Sequence, residues 1–170
     1  YALSSGRGRA GIAVIRLSGP AAWASAGAMI GRPPLDRRAM RCAVADPETG
    51  EVLDDGLCLG FRGPKSFTGE DVVELHVHGG LAVIDGVIGA LGRQTGLRMA
   101  EPGEFTRRAF ENGQMDLTGA EAISDLIDAE TKAQRQQALR QGGGALARLC
   151  DNWRERLVAA LAHWEAALDF

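Results

Sequence analysis

The segment Ser66 to Gly80, SFTGEDVVELHVHGG, joins a polar loop to a strand pattern and a double-glycine turn. Residues 71 to 78 separate into two sets with the two-residue period of a half-buried strand. One face of that strand carries Val73, Leu75 and Val77. The opposite face carries Val72, Glu74, His76 and His78. We predict a strand that packs one face on a core and presents a ligand-binding face on the other.

The flanking residues predict both helices and strands. After the double glycine, apolar residues recur at steps of three and four from Leu81 to Leu91, which is typical of an amphipathic helix. Upstream, Ile12 to Leu17 (IAVIRL) has the composition of a buried strand, and only Arg16 interrupts it. Ser18-Gly19-Pro20 then predicts the start of a helix over Ala21 to Ile30, because Ser caps helices and Pro is favoured in the first turn.

The remaining elements complete an α+β domain that we place at residues 1–112. Met40 to Ala45 and Val52 to Phe61 are separated by Asp-Pro-Glu-Thr-Gly, and they predict an antiparallel hairpin. A short strand is predicted at Leu97 to Ala100 and a helix at Glu104 to Glu111. We expect a mixed sheet.

Residues 113–170 predict the first part of an all-α domain. Thr118-Gly-Ala-Glu121 matches a capping box. Beyond it, apolar residues form two helical stripes, which suit packing against partner helices. The first contains Ile123, Leu126 and Ile127; the second contains Leu146, Leu149, Trp153, Leu157, Leu161, Trp164 and Leu168. Gly142 to Gly144 predicts a bend between helices, with a continuous helix as the alternative.

Charge, cysteine content and hydropathy indicate a soluble, cytoplasmic protein. Residues 1–41 contain seven Arg and one Asp, whereas residues 42–91 contain two basic and nine acidic residues. The sequence therefore predicts no uniformly basic face for non-specific nucleic-acid binding, and we expect most of these residues to be solvated surface charges. Three widely spaced cysteines, Cys42, Cys58 and Cys150, support neither a disulfide framework nor a zinc site. No apolar run reaches the roughly 20 residues of a membrane span. The chain starts with Tyr and stops inside a helical pattern, so we expect both ends to be cuts in a longer protein.

Common cofactor and nucleophile motifs do not fit. Gly6 to Gly11 superficially matches G-x-G-x-x-G, but it precedes a strand, whereas a dinucleotide turn follows one. A phosphate-binding loop motif and a glycine-flanked serine nucleophile are both missing from the sequence.

The charged residues of the two buried strands, Arg16 and Glu74, are the main candidates for a site. An unpaired buried carboxylate costs several kcal/mol, so Glu74 needs a partner or a ligand that donates hydrogen bonds. One interpretation is a salt bridge between Arg16 and Glu74. The other is a pocket in which the carboxylate accepts two hydrogen bonds from a pterin-like ring edge. A metal site with His76 and His78 is a weaker alternative, because no fourth ligand is evident. Otherwise, we expect His76 to be a half-exposed polar residue and His78 to bond the glycine turn.

Several segments together resemble the N-terminal part of the MnmE (TrmE) family of tRNA-modification GTPases. They are GRGRAGIAVIRLSGP, GPKSFTGEDVVELHVHGG, RMAEPGEFTRRAFENGQMDLTGAEAISDLIDAET and AALDF, in the family's order. The resemblance implies a folate-binding domain, similar to the tetrahydrofolate domains of glycine-cleavage T-protein-like enzymes. That domain forms the family's homodimer and is followed by the start of a helical domain.

The resemblance also implies a function. With MnmG, in a heterotetramer, the family forms 5-carboxymethylaminomethyluridine at the tRNA wobble position. GTP, Mg²⁺ and K⁺ bind a GTPase domain that this chain lacks, so no catalytic residue or metal site is expected here.

Family contacts to 5-formyltetrahydrofolate fall on Arg16, Glu74 and Gln114. The family usually has a basic residue at the third position, and a neutral amide should weaken binding by about 1 kcal/mol or more. A second departure is His76-Val77, where Gln-Gly is common. Two alternatives stay open: a T-protein-like aminomethyltransferase, or a non-catalytic dimerisation scaffold in which Arg16 and Glu74 simply pair.

Overall fold

A computed structural model describes residues 1–6 and 8–169, without the side chains at positions 145, 147, 167 and 169. Arg7 of the glycine-rich Gly6–Gly11 segment and Phe170 of the terminal AALDF lie outside the described residues. The chain divides into two units, Tyr1–Gln114 and Met115–Phe170. The first contains strands and helices, and the second contains helices.

The first unit contains a five-stranded sheet. In chain order its strands are β1 (Ala2–Leu3), β2 (Ala10–Ser18), β3 (Met40–Ala45), β4 (Val52–Phe61) and β5 (Val72–Gly79). Across the sheet the order is β1-β2-β5-β4-β3. The strand predicted in the Ser66–Gly80 segment is therefore the central one and is hydrogen-bonded on both sides.

Helices cover one face of this sheet. They are α1 (Ala22–Ile30) and α2 (Leu81–Arg93), whose apolar residues share a core with Val73, Leu75 and Val77. On β2, Ile15 and Leu17 lie opposite Leu75 and Val73 and have no exposed surface. The two-residue period thus correctly predicted which face of the central strand is buried. A third helix, α3 (Glu104–Glu111), follows as predicted.

The prediction of a mixed sheet is wrong, since all four strand pairings of the described residues are antiparallel. The reason lies in residues 31 to 39, which follow α1. This loop runs parallel to β4 only at an isolated bridge between Asp36 and Gly60, and the chain then reverses into β3.

The predicted strand at Leu97 to Ala100 is also wrong. This segment makes two main-chain hydrogen bonds to Tyr1, from the Tyr1 amino group to the Arg98 carbonyl and from Ala100 N–H to the Tyr1 carbonyl. It does not form a ladder in the described chain. Two such bonds leave it an irregular segment beside the sheet.

The second unit contains α4 (Leu117–Ile127), α5 (Lys132–Gly142) and α6 (Ala145–Asp169). The predicted capping box at Thr118 is wrong, because Asp116 caps α4 by accepting the Gly119 N–H at 2.7 Å. A capping box does occur at the start of α5, between Thr131 and Gln134.

The glycine triplet separates α5 from α6, so the predicted break is confirmed. Gly144 has φ +72°, a backbone conformation that disfavours side chains and continued helix. The apolar stripe of α6 is largely exposed, with Trp153 52% and Leu157 70% accessible.

Candidate functional site

Arg16 and Glu74 meet on the sheet face that α1 and α2 leave uncovered. They are direct cross-strand partners on β2 and β5. Glu74 Oε1 accepts two hydrogen bonds from Arg16, from Nε at 2.9 Å and from a terminal guanidinium nitrogen at 2.7 Å. The side chains are 24% and 15% exposed. The salt bridge expected as one interpretation is therefore present, and it satisfies both charges in a largely desolvated position.

His76 contacts the second oxygen of the same carboxylate, and its Nε2 lies 3.1 Å from Glu74 Oε2. This agrees with a half-exposed polar residue on the sheet. His78 is different, because its Nδ1 lies 2.8 Å from Asp54 Oδ1 on β4 and its main-chain N–H donates to Asp54 Oδ2. The prediction that His78 bonds the glycine turn is therefore wrong. The two histidines take separate carboxylate partners instead of converging with Glu74 as three metal ligands would.

Two phenylalanines flank the Arg16 guanidinium. Its central carbon lies 5.2 Å from the ring centroid of Phe67 and 5.5 Å from that of Phe105. These distances are within the range of cation–π attraction. Phe67 belongs to the loop before β5, and Phe105 belongs to α3. Sequence reasoning missed both roles, because the contact depends on how α3 packs, and no local pattern encodes that.

A buried ionic network holds the elements that carry these rings. Glu104, only 3% exposed, accepts hydrogen bonds from Arg98 and Arg108 and from the Glu101 N–H. The pKa of Glu104 is held well below its usual range, mainly by the Arg98 hydrogen bond and then by the Glu101 N–H and Arg108. Arg108 also donates to Glu70 at 2.9 Å.

The network continues into β2. Ser18 donates to Glu70 at 2.9 Å, and its hydroxyl lies 2.7 Å from that of Thr68, which is fully buried. Because Thr68 and Glu70 are in the loop that carries Phe67, the network ties this loop to both α3 and the sheet. It therefore positions the two aromatic rings around Arg16.

Gln114 follows α3 and packs against another part of the Phe67 loop. A Cβ built on Gly69 would be 3.1 Å from Gln114 Nε2, so the amide packs against the loop main chain. Next to it, Asn112 donates to the Thr68 carbonyl at 2.7 Å. Gln114 is exposed, and no hydrogen bond of the described residues links it to Arg16 or Glu74. The structure thus pairs two of the predicted site residues and connects the third through the Phe67 loop.

Two cavities border the site without including these three residues. One of about 340 Å³ is lined by Ser18, Phe105 and Arg108 among others, so it shares the Phe105 ring with Arg16. The second, of about 280 Å³, lies on the uncovered sheet face and is lined by residues that include Ile12, Leu57 and His76.

Comparison with known proteins identifies both parts of the chain. A family model described as the GTP-binding protein TrmE N-terminus matches residues 1–114, and one described as the MnmE helical domain matches residues 117–170. The chain belongs to the MnmE family of tRNA-modification GTPases. Its match to the MnmE N-terminal domain agrees with the α+β class of the first unit.

Relatives in the MnmE family are similar over the whole chain. The tRNA modification GTPase MnmE of Parvibaculum lavamentivorans is 61% identical across all of this chain, which covers 39% of that protein. Its counterpart from Rhodospirillum rubrum is 56% identical, with 40% covered. The mitochondrial 5-taurinomethyluridine–tRNA synthase subunit GTPB3 of Homo sapiens is 58% identical, with 35% covered. The chain thus spans well under half of the relatives it matches. In the described part of the chain, no helix is long and apolar enough to cross a membrane.

Proposed function

We propose that this chain is the N-terminal, folate-binding and dimerising part of a tRNA-modification GTPase. The observation that carries the proposal is the Arg16–Glu74 pair, which lies on the sheet face away from α1 and α2, with the Arg16 guanidinium between two aromatic rings. The bound ligand would be 5-formyltetrahydrofolate, which supplies a one-carbon unit. This chain's own residues would bind and orient it.

The side chains fit the chemistry of a reduced folate. A pterin edge offers a ring N–H and an amino group, which a carboxylate such as Glu74 accepts as two parallel hydrogen bonds. Phe67 and Phe105 offer flat apolar surfaces for the ring system. Glu74 Oε1 already accepts two bonds from Arg16, and Oε2 contacts His76, so a pterin edge can bond to both oxygens only if Arg16 gives up one of its two bonds to Oε1. We expect His76 to release Glu74 when the pterin binds.

Isothermal titration of 5-formyltetrahydrofolate tests this role of Glu74. Glu74→Gln keeps the shape but removes the charge, and loss of a charge-assisted hydrogen bond should weaken binding about tenfold to a hundredfold. The matched control is Asp55→Asn, which removes the carboxylate of the exposed Arg41–Asp55 pair on the same sheet. The control should bind like the wild type.

The same titration separates folate binding from a scaffold role, which the direct Arg16–Glu74 pair also favours. In a scaffold, Arg16→Ala combined with Glu74→Ala lowers the unfolding temperature and leaves any ligand titration unchanged. Folded wild-type protein that releases no heat at millimolar folate contradicts the folate proposal and leaves the scaffold interpretation.

We expect Gln114 to contact the glutamate end of the folate. A neutral amide can donate to the folate but cannot pair with its glutamate carboxylates. Gln114→Lys should therefore tighten binding by roughly fivefold, equivalent to about 1 kcal/mol. Gln114→Met, which has similar length and no charge, is the control and should not tighten binding.

The uncovered sheet face is our candidate for the homodimer surface. Ile12 is 63% exposed and Leu57 is 43% exposed there, and both line the 280 Å³ cavity. Exposed apolar residues grouped on one face are typical of interaction surfaces. Ile12→Lys should convert a dimer to a monomer in sedimentation equilibrium. Leu81→Lys, at a residue 60% exposed on α2, is the control. An Ile12→Lys variant that stays dimeric contradicts this surface.

For the whole protein, we propose the activity of the family. It would act in the cytoplasm with MnmG in a heterotetramer and form 5-carboxymethylaminomethyluridine at the wobble position of tRNA. GTP, Mg²⁺ and K⁺ would bind in its GTPase domain. Nucleoside mass spectrometry of tRNA from a deletion strain that carries full-length Glu74→Gln should show loss of the modified uridine.

The family models concern tRNA-modification GTPases, so we do not propose the aminomethyltransferase alternative.

A further inference from the structure

Two largely exposed segments form a cationic surface beside β3, which we call the basic edge. They are residues 32–41, before and at the start of β3, and residues 62–65, after β4. Their cations are Arg32, Arg37, Arg38, Arg41, Arg62 and Lys65. The carboxylates that lie in these segments or pair with them are Asp36, Asp55 and Asp71. Cations therefore exceed carboxylates two to one here, although the chain has a net charge of −3.

Hydrogen bonds fix the two segments to each other. The Arg37 guanidinium donates to the Lys65 carbonyl, and Arg37 N–H donates to the Gly60 carbonyl at 2.8 Å. In the other direction, Arg62 N–H donates to Asp36 Oδ1 at 2.9 Å. The basic edge is thus one connected surface.

Some guanidinium groups of the basic edge are held by hydrogen bonds to uncharged main-chain carbonyls and not by carboxylates. Arg32 donates to the Arg41 carbonyl at 2.8 Å, and Arg37 donates to the Lys65 carbonyl. A carbonyl oxygen has no net charge, so these guanidinium groups are held in place with their charge intact. Among the described residues, Arg41 and Arg62 have carboxylate partners, whereas Arg32, Arg37, Arg38 and Lys65 form no ion pair.

The backbone at Arg37 is a second, independent observation. Arg37 has φ +54°, and it is the only non-glycine residue with positive φ in the part of the chain described. Such a conformation costs of order 1–3 kcal/mol and is concentrated at functional sites. The Arg37 guanidinium lies 5.9 Å from the Phe61 ring centroid, and the Arg62 guanidinium lies 3.7 Å from that of Trp23. Both cations therefore lie against aromatic rings.

We propose that the basic edge binds the phosphodiester backbone of tRNA. Guanidinium groups bind phosphate through two parallel hydrogen bonds, and helical RNA is recognised mainly through its backbone and shape. The proposal rests on the role in tRNA modification proposed above, but not on folate binding. The surface lies outside the Arg16–Glu74 site.

The test measures binding of an unmodified tRNA transcript to the chain by fluorescence anisotropy, at low and at physiological salt. The variant carries Arg37→Ala, Arg38→Ala and Lys65→Ala. Its matched control carries Arg135→Ala, Arg154→Ala and Lys132→Ala, which removes the same three charges from exposed positions on α5 and α6. We expect about tenfold weaker binding at low salt for the first variant and a salt slope lower by about two. The control should keep most of the affinity and slope of the wild type.

Equal affinity and salt slope in the two triple variants would overturn the proposal. So would wild-type chain that fails to bind tRNA, or that binds polyglutamate as tightly as tRNA, since the surface would then suit an acidic protein. Folate titration of the first triple variant distinguishes the two proposals: retained folate binding with unchanged tRNA affinity refutes the basic edge alone. If that variant fails to fold, Arg38→Glu serves instead, because Arg38 is exposed and reversal of its charge should weaken tRNA binding severalfold.

Discussion

Glu104→Gln should lower the free energy of unfolding of the first unit by more than the loss of any exposed ion pair would. The Glu104 carboxylate is 2% exposed and accepts hydrogen bonds from Arg98, from Arg108 and from the Glu101 N–H. Removing one partner from a fully buried ionic network costs about 3–5 kcal/mol. Arg98 is 60% exposed and Arg108 is 27% exposed, so solvent screening reduces this figure. We expect a loss of about 2–3 kcal/mol at pH 7.

The stability difference between the wild type and Glu104→Gln should disappear in acid. The fold lowers the pKa of Glu104 below its ordinary value of 4.5, so the carboxylate stabilises the fold above pH 4.5, and that stabilisation is lost as the pH falls. Each pH unit between the unfolded and folded pKa removes about 1.4 kcal/mol. At pH 3 the wild type should therefore have lost about 2 kcal/mol of this contribution, and the two proteins should be similar in stability.

Urea unfolding, followed by tryptophan fluorescence, measures both effects. Trp23 is the only tryptophan in the first unit, so a background with Trp153→Phe and Trp164→Phe reports on that unit alone. Glu48→Gln is the control, because Glu48 pairs with Arg93 at an exposed position and its loss should cost less than about 0.5 kcal/mol. A Glu104→Gln loss below 1 kcal/mol at pH 7, or one that is equally large at pH 3, would refute the reasoning.

Two further predictions concern local structure. Asp116→Ala should lower the free energy of unfolding of the second unit by about 1 kcal/mol, because it removes the N-cap of α4. Urea titrations followed by circular dichroism measure this loss, and Thr118→Ala is the control and should cost less. Equal losses in the two variants would contradict the assignment of Asp116 as the cap. Gly56→Ala should lower the unfolding temperature by more than 10 °C, because a Cβ there would lie 2.3 Å from the His76 carbonyl oxygen. Gly50→Ala, at a glycine with free space around it but φ +74°, should cost less than Gly56→Ala, and the reverse order would contradict the steric explanation.

Strands and helices of the first unit could be predicted because their apolar periods are local properties. The strand bounds at Met40–Ala45 and Val52–Phe61 and the helix bounds at Glu104–Glu111 agree with the structure. The N-cap of α4 was missed because Asp116 and Thr118 are both good caps and lie two residues apart, so sequence preference alone does not rank them. Sheet polarity was missed because the path of residues 31 to 39 depends on tertiary packing.

The site was predictable in part, for a related physical reason. A charge placed among apolar strand residues must have a partner, which singles out Arg16 and Glu74 without any structure. Their pairing then needed only the register of β2 against β5. The aromatic neighbours carry no such signal, since a phenylalanine in a loop or helix is compatible with many environments. The same holds for His78, whose bond to Asp54 depends on the alignment of β4 with β5.

The buried network explains why a folate site can coexist with a strong Arg16–Glu74 salt bridge. If the pair alone maintained this region, a ligand that competed for Glu74 would weaken the fold as it bound. Instead, Glu104 and Glu70 anchor α3 and the Phe67 loop through Arg108, independently of Glu74. The carboxylate of Glu74 can therefore exchange His76 for a pterin edge while both rings stay in position. It follows that Glu104→Gln should weaken folate binding through disorder of the rings, whereas Glu74→Gln should weaken it by direct loss of the carboxylate that accepts the pterin edge.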